Sequence, residues 1–201
     1  TAGTVYSWKG SDGFTSSVQQ PTYKPTQAGT ITYTITVSGT GGCTGTATTS
    51  VIVNALPTLT VTGAEVCVGK KVDIGVKETF ASYAWTKVGG TFTASTQSPS
   101  VTASAVITDA GVYQVLVTNA NGCTAVATAT VIVNELPVPT AQNNGPVCVG
   151  TTITLTANAG FAKYNWVDSK NAFVGSTAVV TIPNAVTGNA GIYTVTVTNA
   201  K

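Results

Sequence analysis

The chain repeats itself with a period of about 80 residues, and the copied residues are those that build β-sheet cores. Val-Cys-Val-Gly stands at Val66–Gly69 and again at Val147–Gly150, while Gly-Cys-Thr stands at Gly42–Thr44 and at Gly122–Thr124. Tyr33, Tyr113 and Tyr193 fall 80 residues apart, and Trp8, Trp85 and Trp166 keep the same rhythm with small insertions. Solenoid units of about 20–50 residues share one core; a period this long fits an array of small domains that each bury their own.

The joints are legible. Asn54-Ala55-Leu56-Pro57 and Asn134-Glu135-Leu136-Pro137 are near-copies, each directly after a strand-like run (Ser50–Val53 and Thr130–Val133). Proline removes a ladder donor and fixes φ, so it ends pairing while keeping the connection stiff, and linkers this short stack neighbours end to end. The expected domains are a partial module over 1–56 carrying the C-terminal strands, a complete module over 57–136, and a partial module over 137–201 that lacks its last strand. The chain opens on a third strand, Val5-Tyr6-Ser7-Trp8, and stops where Asn-Gly-Cys is expected, with Lys201 in place of that Asn. The expectation is therefore a window from a longer chain.

Composition sets the class. Thr accounts for 39 residues and Val is the other abundant type, both β-branched and suited to strands. There is no Met, His or Arg, charged residues make up 8%, and the net charge is +2, supplied by Lys. A nucleic-acid binder needs clustered cations to displace counterions, and the adjacent pair Lys70-Lys71 reads as a solvated turn. No apolar stretch approaches the roughly 18 residues of a membrane span, so neither nucleic acid nor membrane insertion is expected as a partner of this segment.

Alternation and turn signals divide the central module into strands. Leu59–Val61 is expected first, then Val72-Asp73-Ile74-Gly75-Val76, then Ser82-Tyr83-Ala84-Trp85 with Tyr83 and Trp85 on one face. Val101–Ala105 precedes Asp109-Ala110-Gly111-Val112-Tyr113, and Val115 and Val117 continue that strand. Asn121-Gly122 turns the chain, and Cys123–Val133 runs back as a long last strand. About seven strands in so short a module make an all-β sandwich.

Tyr-x-Trp on a third strand and Asp109–Tyr113 leading into a sixth resemble the core tryptophan and tyrosine corner of immunoglobulin-like domains, and Asn189–Tyr193 repeats the corner. The whole unit is similar to the tandem Ig-like or PKD-like repeats of long Bacteroidota cell-surface adhesins and gliding-associated proteins exported by the type IX secretion system. The resemblance implies an extracellular chain of linearly arranged sandwiches serving as stalk, spacer or adhesive surface. Val115 and Val195 stand where an antibody-type domain carries its second cysteine, so the usual inter-sheet disulfide is missing. The first module has Gln27-Ala28-Gly29 before its strand and lacks the acidic corner residue, so a different loop is expected there.

Cys43, Cys67, Cys123 and Cys148 are the disulfide candidates, as cysteines of a secreted chain are commonly paired. If the strand order is Ig-like, Cys67 precedes the second strand at one pole and Cys123 follows the sixth at the other. Some 20 Å then separates them, against the roughly 7 Å between Cα atoms that a disulfide tolerates. One expectation is a bond from each Val-Cys-Val-Gly cysteine to the Gly-Cys-Thr cysteine of the following module; an intramodule bond of unusual topology and free thiols are the alternatives.

Catalytic chemistry is not expected. The commonest general base is absent, and Asp12, Glu65, Asp73, Glu78, Asp109, Glu135 and Asp168 are scattered. Asp73 with Glu78, and Glu65 with Lys70, read as solvated surface pairs, and Asp109 as the organiser of the corner turn. No cofactor is expected; calcium at a joint stays open, because single carboxylates from two modules can converge there. Phe80 matches Phe161, Phe92 matches Phe173 and approximately Phe14, and Tyr83 matches Tyr6 and Tyr164. Rings that recur in every copy read as shared core, as do Trp8, Trp85, Trp166, Tyr33, Tyr113 and Tyr193. Tyr23, between Pro21 and Pro25, has no counterpart and reads as packing under a loop.

The expected function is a non-enzymatic structural or adhesive stalk or filament-forming region of a large secreted bacterial surface protein. Its partners are neighbouring repeats of the same chain or neighbouring copies in a filament, with surface polysaccharide or other cells as further candidates. The alternative is a set of carbohydrate-binding accessory modules of a secreted hydrolase.

Overall fold

The computed structural model describes residues 3–200, so Lys201 lies outside it. By internal contacts the chain forms two compact units. One holds the described residues up to Gly63 together with Asp73–Pro99 and Gly111–Thr130; the other holds Ala64–Val72, Ser100–Ala110 and the described residues from Val131 on. No helix among the described residues is long and apolar enough to cross a membrane.

The first unit opens on four antiparallel strands, β1 (Val5–Gly10), β2 (Thr15–Ser16), β3 (Gly29–Ser38) and β4 (Thr44–Val53), in the order β2-β1-β3-β4. The Thr/Val alternation of β3 and β4 carries a ladder from Gly29 opposite Val53 to Ser38 opposite Thr44. This is the one sheet among the described residues before Asn54, and much of β4 is exposed. Val51 is 46% exposed, whereas Val131, in the same Val-Ile-Val-Asn sequence one period on, is 1% exposed. Identical residues thus bury or not according to whether a second sheet covers them.

The middle of the chain supplies β5 (Val61–Thr62), β6 (Ala64–Cys67), β7 (Val72–Asp73), β8 (Gly75–Val76), β9 (Ser82–Lys87), β10 (Thr93–Ala94), β11 (Ser100–Thr102), β12 (Gly111–Thr118) and β13 (Thr124–Asn134). β5 pairs with β8, β7 with β11, and the remaining strands follow the order β10-β9-β12-β13-β6. This is an immunoglobulin-like arrangement, all-β as expected. The expected first strand differs from what forms. Instead of one strand at Leu59–Val61, two short strands join different sheets, β5 antiparallel to β8 and β6 parallel to β13. Gly63 makes the switch possible, because a Cβ there would collide with the carbonyl of Thr130. The expected second strand is also interrupted, with Ile74 N–H bonded to Pro99 O at 3.1 Å.

The last third forms β14 (Ala141–Asn143), β15 (Ile153–Ala157), β16 (Lys163–Val167), β17 (Phe173–Gly175), β18 (Val179–Ile182) and β19 (Thr194–Thr198). Two three-stranded sheets result, β14-β15-β18 and β17-β16-β19. Leu155, Ala157, Trp166 and Val180 form their core, with Tyr164, Val174, Tyr193 and Val195 packed against it.

The three tryptophans divide by environment. Trp85 Nε1 donates to Thr96 O at 3.1 Å and Trp166 Nε1 to Thr177 O at 3.0 Å, so each indole is buried with its polar edge satisfied. Trp8 Nε1 is buried without a hydrogen-bond partner. Trp85→Ala should therefore cost about 3–5 kcal/mol in urea unfolding, by lost burial and a cavity. Trp8→Ala should cost less than half as much, its side chain being half-buried and its N–H already unsatisfied.

Candidate functional site

Two kinds of feature recur from copy to copy: corners and joints. In the corners, the Asp109 carboxylate accepts Val106 N–H at 2.9 Å, closing a 3-10 turn at Ile107–Asp109, and the Asn189 side-chain oxygen accepts Val186 N–H at 2.9 Å around Thr187–Asn189. Tyr193 O–H donates to Asn189 O at 2.8 Å, the tyrosine-corner bond. The residues before β3 form no such turn; Tyr33 O–H instead reaches Asp12 Oδ2 at 3.5 Å.

The rings repeat in detail. Tyr83 O–H accepts Phe80 N–H and donates to Glu78 O, and Tyr164 does the same with Phe161 and Asn158. Each tyrosine also meets its phenylalanine edge-on, at 6.1 and 5.9 Å between centroids. Phe92 packs on Tyr113 at 5.3 Å and Phe14 on Tyr33 at 5.8 Å. Phe173 corrects the shared-core reading, because it is 68% exposed on β17, an edge strand.

At the first joint the turn between β12 and β13 is organised by Asn119. Its N–H donates to Cys123 O, its Oδ1 accepts the N–H groups of Asn121 and Cys123 at 3.0 Å each, and Gly122 takes φ +79. The loop is thus longer than the Asn121-Gly122 pair alone, with glycine in the left-handed position. Asn119 Nδ2 is left to donate to Ala55 O in the linker at 3.1 Å, and Cys123 Sγ lies 4.0 Å from Asn54 O. At the second joint Asn199 Nδ2 donates to Glu135 O at 3.3 Å, one period later at both ends. Asn134, the counterpart of Asn54, pairs opposite Cys67, gives its carbonyl to Val68 N–H at 2.9 Å and its Nδ2 to Glu65 Oε1 at 3.0 Å. Gly39 replaces the organising Asn in the first turn, which keeps the backbone bonds to Cys43 and Gly42 without the side-chain arm.

No two of the four cysteines are bonded to each other; Cys43 and Cys148 are exposed, Cys67 and Cys123 half-buried. Glu65 and Glu78 accept hydrogen bonds from linker or backbone groups, Glu65 Oε1 from Asn134 Nδ2 at 3.0 Å and Glu78 Oε2 from Thr60 N–H at 2.7 Å. Among the described residues no three His, Cys, Asp or Glu side chains gather. A hollow of about 450 Å³ lies on the β1–β4 sheet, lined by Trp8, Phe14, Gln19, Tyr23, Pro25 and Tyr33 among others. Tyr23 stacks on Phe14 at 4.5 Å, so it packs as expected, yet stays 43% exposed. Desolvation and then the nearby Asp12 carboxylate hold the Tyr23 and Tyr33 phenols above the ordinary tyrosine value.

No protein-family profile and no curated protein sequence matches the chain. Solved structures similar to it include the three N-terminal domains of the bacteriophage RB49 highly immunogenic outer capsid protein, at 16% identity and TM-score 0.48, covering 96% of this chain and 79% of that one. Domains A168–A170 from titin are similar at 14% identity and TM-score 0.44, covering 98% and 83%. Murine CEACAM1b follows at 16% and 0.41, covering 71% and 93%. The immunoglobulin-like assignment comes from the strand order; these likenesses carry nothing about function.

Asn119→Ala removes the linker bond and two turn bonds, and should lower stability by about 1–2 kcal/mol with faster amide exchange at Asn121 and Cys123. Glu78 is held below the ordinary carboxylate value by the Thr60 N–H, against the opposing effect of burial. A depressed folded pKa stabilises fully above the unfolded glutamate value of about 4.3 and loses that effect as pH falls through the lowered folded value. The urea midpoints of the parent and Glu78→Gln should therefore differ at pH 7 and converge in acid.

Proposed function

We propose that the chain is a non-enzymatic tandem immunoglobulin-like region, structural or adhesive, of a large secreted bacterial cell-surface protein, and that it acts as a stalk or filament segment. The observation that carries this is the joint made twice, Asn119 Nδ2 to Ala55 O and Asn199 Nδ2 to Glu135 O. A repeat whose copied residues lie in cores and linkers is built for number and spacing. Its partners are then its own neighbours, along the chain or in adjacent copies, and the uncovered β4 residues are where added strands would bury more surface. The modules of the array are residues 1–56, 57–136 and 137–201, and its location is extracellular. Resemblance to type IX-exported Bacteroidota repeats supports the bacterial surface in particular.

A specific observation favours a second reading, carbohydrate-binding accessory modules. The hollow on the β1–β4 sheet pairs the half-exposed Tyr23 ring with the side chains of Gln19 and Gln20. Electron microscopy of the native assembly, with gels run with and without reductant, separates the two. The stalk should show a long polypeptide of uniform width with beads on the order of 40 Å apart, the length of an eleven-residue strand such as β13 at about 3.4 Å per residue. Short isolated particles that bind insoluble polysaccharide, with binding lost in Tyr23→Ala, would move the reading to accessory modules.

A further inference from the structure

Two places have no use in the proposed role: the aromatic hollow and the cysteines beside the joints. The cysteines carry an inference furthest, because two independent views of one joint can be superposed through the repeat.

We infer that each joint is a site for a disulfide between the Val-Cys-Val-Gly cysteine of one repeat and the cysteine of an Asn-x-x-Gly-Cys turn belonging to the next. Cys67 shows the first half of this site. It lies at the end of β6, opposite Asn134 in a parallel pair, and the Asn134 carbonyl accepts the N–H of Val68, its neighbour in sequence, at 2.9 Å. Paired strands run about 4.8 Å apart, so the Cys67 Cα lies beside the linker Asn. Cys123 shows the second half one joint earlier. Its Sγ lies 4.0 Å from the carbonyl oxygen of Asn54, the counterpart of Asn134, and the same turn is docked on the linker through Asn119. The linker Asn thus stands beside Cys67 and Val68 in one joint, and its counterpart stands beside the Cys123 sulfur in the other. In the joint that holds Cys67, the docking arm is Asn199, already bonded to Glu135 O. A hollow of about 440 Å³ lined by Glu65, Val66, Cys67 and Asn134 opens beside that thiol, large enough for the incoming Gly-Cys of such a turn.

The intramodule alternative fails on the same register. Cys123 directly precedes β13, whose far end, Asn134, is the residue opposite Cys67. Eleven strand residues at about 3.4 Å each lie between them, several times the reach of a disulfide. The bond forms by oxidation of two thiols: both S–H bonds break, an Sγ–Sγ bond forms, and two protons and two electrons pass to a disulfide oxidant. That oxidant, glutathione disulfide or a thiol–disulfide oxidoreductase, is left as two thiols.

The inference rests on the reading of the chain as an array of repeats, not on what the array binds. The test keeps the whole chain, replaces Lys201→Asn and appends Gly-Cys, which completes the turn that begins at Asn199. After equilibration with reduced and oxidised glutathione, free thiols are alkylated and the chain is cut at Asp and Glu, which places every cysteine on its own peptide. The expected result is a disulfide-linked pair of peptide 66–73 and the C-terminal peptide, with loss of two alkylatable thiols relative to the reduced chain. Cys67→Ser should restore the appended thiol, Cys148→Ser should leave the link intact, and Asn199→Ala should lower its yield. A link between peptides 66–73 and 110–135, or full alkylation of Cys67 in a chain that keeps its β-sheet circular dichroism, overturns the inference. Should the extended chain not fold, peptide mapping of the native protein, alkylated at harvest, decides the matter: the link of one repeat to the next is expected, and a free Cys67 there refutes it. Failure on these counts with a beaded assembly intact leaves the array reading standing.

Discussion

The parallel pairing of Ala64–Cys67 with Val131–Asn134 is the contact that brings Cys67 beside the linker Asn. It binds the segment that follows the first linker to the segment that precedes the second, and it is parallel, whereas β9 pairs antiparallel with both β10 and β12. Because of it, Cys67 and Val68 come to lie on the linker Asn, and the linker leaves from a strand end that is held on its outer side. Without the crossing at Gly63 the first strand would stay wholly with β8, and nothing would cover the edge of β13 where the linker begins.

Inside each copy the tryptophan plays the complementary part. Burying an indole contributes more than any aliphatic side chain, but only if its N–H finds an acceptor, and in both satisfied cases that acceptor is the carbonyl eleven residues on. The acceptor fixes the length of the excursion from β9 through β10, or from β16 through β17, to the strand of the opposite sheet. Trp8 stands in the same Tyr-x-Trp pattern, yet its N–H has no partner, and the Val51 that follows on β4 is exposed. Sequence specifies the fold of a sandwich half; its dryness comes from the other half.

Much of this was legible. Tyr-x-Trp, the Asp-Ala-Gly corner and the Val-x-Val strands signal their elements by period-two alternation and turn chemistry, and they stand where those signals place them. What was not legible depended on partners far away in the chain. Ala-Glu-Val-Cys alternates too weakly to announce a strand, and it is one only because β13 is there to pair with it. Thr93-Ala94 is a strand only against Trp85 and Thr86. The docking role of Asn119 was hidden for a different reason: an asparagine before Asn-Gly reads as turn chemistry, and its oxygen does serve the turn, while the amide left over is what reaches Ala55. Phe173 misled because a ring that is core in one copy can sit on an edge in another.

The position of the parallel pair also determines how a pull on the chain is borne. Force applied through the two linkers enters at β5 and β6 and leaves from the end of β13. Since β6 and β13 point the same way, tension on their opposite chain ends slides one along the other and loads their hydrogen bonds together, not one after another as in a peeled hairpin. Beyond that patch the load passes into the linker, where Asn-Ala-Leu-Pro and Asn-Glu-Leu-Pro have a stiff proline and a single side-chain bond from the neighbouring turn. Cys67 and Cys123 each stand beside such a linker, at Asn134 and at Asn54, where tension along the chain passes through few hydrogen bonds.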